Sequence, residues 1–176
     1  SGHWDTLRVD CSVVSVIEFH DTLFVAGSCG PLNPADTPAV ANVKYWDNGV
    51  WVQYGVFDTW GATRLRAVDD TLYLVGSFSV ADGQVCSGIA RRVGAQWQAL
   101  PPLSTNGAIV SDVVKFQGDL VVSGNVNAGS TSGLARLHEG EWGPMGPGIL
   151  GGQSNVRVMK EYQGDLYVAG SIYTDE

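Results

Sequence analysis

The chain has 176 residues, enough for one domain with a substantial core, and carries 23 glycines and six tryptophans against 16% charged residues. That balance describes a turn-rich all-β protein, and with no apolar run of 18 residues it excludes a disordered chain and a membrane span. The formal net charge of −8, with ten scattered Lys and Arg, excludes a binder of the nucleic-acid backbone and suits solubility.

The N-terminal "SGHWDTL" does not have the pattern of a signal peptide and opens in the middle of a structural unit, so both ends read as cut boundaries. Val13 to Phe19 then reads as a first strand and Leu23 to Ser28 as a second, joined at His20 and Asp21. "NVKYW" supplies a third strand, and after a short turn a fourth begins at Trp51. The same meander returns with a turn at Asp69 and Asp70, a third strand "GIARRV" and a fourth from Trp97. It returns again with Gln117 and Gly118, "GLARL" and Trp142. The closing "EYQGDLYVAGSIYTDE", turning at Gln163 and Gly164, nearly repeats the earlier "EFHDTLFVAGSC" and supplies a first and second strand only.

Two landmarks share one period. The glycine of "FVAG", "YLVG", "VVSG" and "YVAG" falls at Gly27, Gly76, Gly124 and Gly170, at intervals of 49, 48 and 46, and Trp4, Trp51, Trp97 and Trp142 follow at intervals of 47, 46 and 45. The second strands are apolar at nearly every position rather than alternating, so both faces of each small sheet must be covered by neighbouring copies. A four-stranded antiparallel unit sandwiched by its own copies predicts a β-propeller of about four repeats, with solenoid stacking as the alternative. The copies run about 13–60, 61–106 and 107–152, and 153–176 completed by 1–12, within a single domain over 1–176.

"VDDTLYLVGSFSVADG" with "SGIARRVGAQW" resembles the units of bacterial and fungal kelch-like propellers, including a cortical polarity-marker family, which read "YNGxLYVGGxF…IARWDGxxW". The first glycine of that diglycine is here Ala26, Val75, Ser123 and Ala169. The resemblance implies a propeller of the galactose-oxidase central-domain type, a secreted or cell-surface module, and no particular chemistry.

The ends complement each other: residues 1–12 supply a fourth strand without its blade, and 153–176 a first and second strand. Pairing them would close a four-bladed ring with no exposed edge. One third strand is missing from that shared blade, so it is either irregular, completed by another copy in a homo-oligomer, or evidence of a larger propeller.

Cys11 and Cys29 stand one residue out of register across the first hairpin, and a small bulge would bring them together as a disulfide; two reduced thiols are the alternative. Cys86 has no evident partner. The chain has no His-Glu-x-x-His, Cys-x-x-Cys, Walker loop or glycosylation sequon. "GPGILGG" places glycines at 146, 148 and 151, but a strand follows where a dinucleotide site needs a helix, so it reads as a blade connection. His3, His20 and His138 fall at turns in different copies, a poor arrangement for a shared metal, and no metal or cofactor is expected. Asp69 with Asp70, and Glu139 with Glu141, read as solvated turn residues rather than an acid–base pair.

Strict recurrence assigns the tryptophans to packing between blades, leaving departures from the repeat to carry a specific site. Pro31 to Ala39 extends the loop between the second and third strands of the first copy, and Phe57, Asp58 and Trp60 are unmatched in the next connection. The face carrying those loops is the candidate binding face, with Asp36, Phe57, Asp58 and Trp60 as its residues; alternatively Trp60 caps the core and the loop is a tolerated insertion. The expected function is a noncatalytic binding or scaffolding module, extracellular or at the cell surface, taking a protein or a glycan. The alternatives are a glycan-active hydrolase or lyase, or a carbohydrate-binding lectin. For catalysis the acids near the expected face are Asp10, Asp36, Asp58 and Asp112, a scatter rather than a motif.

Overall fold

The computed structural model of the chain describes residues 7–9, 11–29, 40–58, 63–103, 108–128, 131–145 and 155–172. These residues are all-β, without a helix, and form four antiparallel sheets. The first sheet holds β1 (Cys11–Phe19), β2 (Thr22–Cys29), β3 (Val40–Asp47) and β4 (Val50–Phe57) in chain order. β5 (Arg64–Val68) and β6 (Thr71–Val75) belong to the second sheet, whereas the short hairpin β7 (Val80–Ala81) and β8 (Gln84–Val85) turns back to extend the first. β9 (Ile89–Val93) and β10 (Gln96–Ala99) complete the second, in the order β10-β9-β6-β5. The third sheet is β11 (Ile109–Phe116), β12 (Asp119–Ala128), β13 (Thr131–His138) and β14 (Glu141–Gly143), and the fourth is the pair β15 (Asn155–Tyr162) and β16 (Asp165–Ser171).

The turn chemistry explains the hairpins. His20 and Asp21, Asp69 and Asp70, Gln117 and Gly118, and Gln163 and Gly164 all have positive φ at both central positions, the type I′ geometry whose twist matches that of paired strands. The periodic glycine has a separate cause. Val14, Ser111 and Arg157 are each an extra residue in a first strand, a bulge next to the pairs Val13 with Gly27, Val110 with Gly124, and Val156 with Gly170. A Cβ on Gly27, Gly124 or Gly170 would stand 2.1, 2.0 or 2.1 Å from a carbonyl oxygen of the partner strand. The bulge at Val14 also moves the register by one, so Cys11 stands opposite Cys29. Cys11 is disulfide-bonded and Cys86 is a free, buried thiol.

Side chains alternate across each second strand and feed successive layers of core. Leu72 and Leu74 pack with Phe24, Val43 and Phe57 of the first sheet, while Tyr73 and Val75 pack with Val110, Val113 and Val122 of the third. On β12, Val122 faces the second sheet and Val121 packs with Val156 and Met159 of the fourth. Both faces of β6 and of the Val121–Ser123 part of β12 are therefore covered, which is why Leu72–Val75 and Leu120–Val122 are apolar without alternation, whereas β12 alternates beyond Gly124. β16 differs, being largely exposed.

The β7–β8 hairpin was not anticipated from the sequence. Its signal is Asp82-Gly83, a type I′ dipeptide between two valine-containing pairs, hidden inside what reads as a strand connection.

Candidate functional site

The first strand of each repeat, β1, β5, β11 and β15, lies at an edge of its sheet, and successive edges touch, β1 with β5, β5 with β11 and β11 with β15. They are tied across the gap by polar contacts. Leu65 donates its backbone N–H to Ser15 Oγ at 3.0 Å, and Met159 donates to Asp112 Oδ2 at 2.8 Å. Ser15 and Asp112 occupy the same place in the repeat, one residue after the bulge, so each hands an acceptor to the following sheet. The fully buried Asp112 carboxylate also accepts from Arg66 Nε at 2.6 Å and from the Val113 N–H at 3.0 Å. Three sheets thus meet on one carboxylate, which balances its charge with one guanidinium and two amides.

Two cavities flank this contact, and each takes residues from all four first strands. The cavity at the start of those strands, about 430 Å³, is lined by Val14, Thr63, Arg64, Val75, Ser77, Ile109, Val110, Ser111, Asn155 and Arg157. Among the described residues its lining includes two arginines and no acidic side chain. The cavity toward the hairpin turns, about 580 Å³, mixes signs, with Arg66, Lys115 and Lys160 beside Asp69 and Glu161. On that side the turns themselves are linked between sheets, His20 with Asp70 and Lys115 with Asp69. The His20 ring also stacks on Phe19 at 3.9 Å. His138 is hydrogen-bonded through Nδ1 to Asp119 at 2.9 Å. Among the described residues no group of three His, Cys, Asp or Glu side chains is placed to hold a metal ion.

The residues singled out from the sequence have other neighbours. Phe57 is fully buried, edge-on to Phe78 and Trp97 at 5.1 and 5.4 Å, so its ring is part of the core and offers no surface to a ligand. Asp58 Oδ1 accepts from the Ser79 and Val80 N–H groups at 2.8 and 2.6 Å, and Oδ2 from the Ser79 hydroxyl, which anchors the β7–β8 hairpin. Asp82 performs the matching task at the turn, accepting from Val56 N at 3.1 Å and Trp97 N at 3.1 Å. Asp36, Trp60 and the 31–39 loop lie outside the described residues, as do His3, Trp4, Asp10 and the glycines at 146, 148 and 151.

The tryptophans pack. Trp97 is fully buried and donates Nε1–H to the Tyr54 carbonyl of the first sheet at 2.7 Å, and Trp142 donates to the Pro101 carbonyl at 2.7 Å. Arg92 lies over the Tyr54 ring at 3.8 Å and donates to the same carbonyl at 3.0 Å.

The cavity of Arg64 and Arg157 opens on the side where second strands end and first strands begin, which is the side the loop argument favours. Its residues were missed because that argument was applied to loops. At the bulge three copies carry Val14, Ser111 and Arg157, with Thr63 at the matching position just before β5, and one residue later the four carry Ser15, Arg64, Asp112 and Val158. Four different side chains at equivalent positions of the first strands are departures from the repeat as clear as any loop insertion. No protein-family model matches the chain, and no curated protein matches it.

Proposed function

We propose that this chain is a noncatalytic binding module of β-propeller architecture, its four sheets standing as blades about the axis that their first strands share. The observation that carries the reading is the state of the candidate acids among the described residues. Asp112 is fully buried and holds three hydrogen bonds, Asp69 is ion-paired with Lys115, and Asp58 fastens a hairpin. A glycan hydrolase needs two carboxylates facing the sugar, one to donate a proton and one to act as nucleophile or base. These acids are engaged in holding sheets together, so the axis offers recognition groups rather than an acid–base pair.

The layered cores, the shared axis and the resemblance of Val68–Gly83 and Ser87–Trp97 to kelch-like repeats support the propeller. The disulfide at Cys11 accords with an oxidising, extracellular or cell-surface setting. The partner is a protein or a glycan engaged from the end of the axis where Arg64 and Arg157 lie. A polysaccharide array run beside an assay for newly released reducing ends tests the class of function. Retention without release is expected; release that Asp112→Asn abolishes would replace the binding module with a hydrolase.

A further inference from the structure

We infer that the cavity between Arg64 and Arg157 is a binding site for a small oxyanion, a carboxylate or phosphate group carried on a compact polar body. The inference rests on the binding-module reading and gives it a ligand class. A chain of net charge −8 places two arginines, and among the described residues no acid, around one cavity. Arg64 Nη1 donates to the Arg157 backbone carbonyl at 3.2 Å, so its guanidinium reaches from β5 across to the bulge of β15, and Arg157 lines the same cavity. Neither guanidinium has an ion-pair partner among the described residues, whereas Arg66, two residues along β5, is bound to Asp112. Two cationic side chains lining one cavity make it electropositive, and an anion there is attracted to both.

The remaining lining narrows the ligand. Ser77, Ser111 and Asn155 are neutral hydrogen-bonding side chains, and the Thr63 hydroxyl is buried without a partner. Val14 and Ile109 give apolar walls, and about 430 Å³ suits a small molecule rather than a polymer chain passing through. Guanidinium forks match carboxylate and phosphate oxygens in pairs, which favours an oxyanion over a halide. Neutral donors beside them favour a hydroxylated body.

Calorimetric titration of the full chain at low ionic strength with glucuronate, with inorganic phosphate and with uncharged glucose tests this. Saturable binding of at least one anion is expected, weakened by added salt and by about tenfold or more in Arg157→Gln, with no binding of glucose. Arg157 is exposed, so that variant should keep the parent melting temperature; Arg64→Gln provides the second arm. Glucuronate alone binding assigns a carboxylate, and phosphate alone assigns a phosphoryl group. Absence of binding by both anions, equal binding of glucose, or binding unchanged in both variants overturns the oxyanion site. A glycan bound without cleavage on the array would in that case leave the binding-module reading standing.

Discussion

Single side chains in this protein are decided by whether the surrounding sheet offers a partner. Asp112 is tolerated at full burial because Arg66 and two backbone amides answer it, and Asp58 and Asp82 serve as fasteners of a hairpin because their oxygens meet backbone N–H groups. At Cys86 the backbone at Gly88 offers only a minor compensation for a charge. Burial, with the Asp58 carboxylate adding to it, pushes its thiol up to about 12. In the unfolded chain the thiol titrates near 8.5. The folded state therefore holds the proton more tightly, and stability is fully present below about pH 8.5 and is lost as pH rises toward the folded value. Urea unfolding at pH 8, 9 and 10 should show a decline in the parent that Cys86→Ala reduces; parallel declines would refute it. With Cys11 disulfide-bonded, thiol titration should find one reactive group, and only after unfolding.

At the scale of the element, the hairpins were legible because positive-φ turns have a residue signature, and Asp69-Asp70 and Gln117-Gly118 announce themselves. The repeat of glycine was legible too, but its cause was not. It lies in a carbonyl of the neighbouring strand turned by a bulge, a feature of pairing geometry that no local pattern encodes. Gly124 has φ +136°, and an added Cβ would meet the Ile109 carbonyl oxygen at 2.0 Å, with backbone on both sides unable to yield cheaply. Gly140 has φ +87° and open space around it. Gly124→Ala should cost about 2–4 kcal/mol, clearly more than Gly140→Ala at about 1 kcal/mol. Equal losses in urea unfolding would mean that φ alone, and not the bulge carbonyl, demands the glycine. The cavity of Arg64 and Arg157 was hidden for a related reason: both lie in unremarkable strand sequence, and only the approach of the four first strands puts them around one cavity.

The whole molecule raises the question of its two outer faces. In the first three sheets the residue three before the periodic glycine is covered by the next sheet: Phe24, Tyr73 and Val121 are all buried. In the fourth sheet the equivalent Tyr167 is 56% exposed, edge-on to an exposed Tyr162 at 6.2 Å. The first sheet is open in the complementary sense. Val16 is 60% exposed where Leu65, Val113 and Met159 are buried, and the buried Trp51 Nε1 has no acceptor among the described residues, although Trp97 finds a carbonyl in the sheet before and Trp142 one in the connection that follows β10. One face wants an apolar cover and the other wants a preceding sheet, so ring closure would satisfy both with the same contact. The strand near Trp4 expected to help lies outside the described residues. Tyr167→Ala separates the arrangements. If β15–β16 closes on the first sheet in solution, the tyrosine is a core residue and its loss should cost about 2 kcal/mol or more, approaching that of Phe24→Ala. A change within about 0.5 kcal/mol would show the face to be open and would sink the closed ring. A large loss that grows on dilution would instead place a second copy on that face, because only an intermolecular contact makes stability depend on protein concentration.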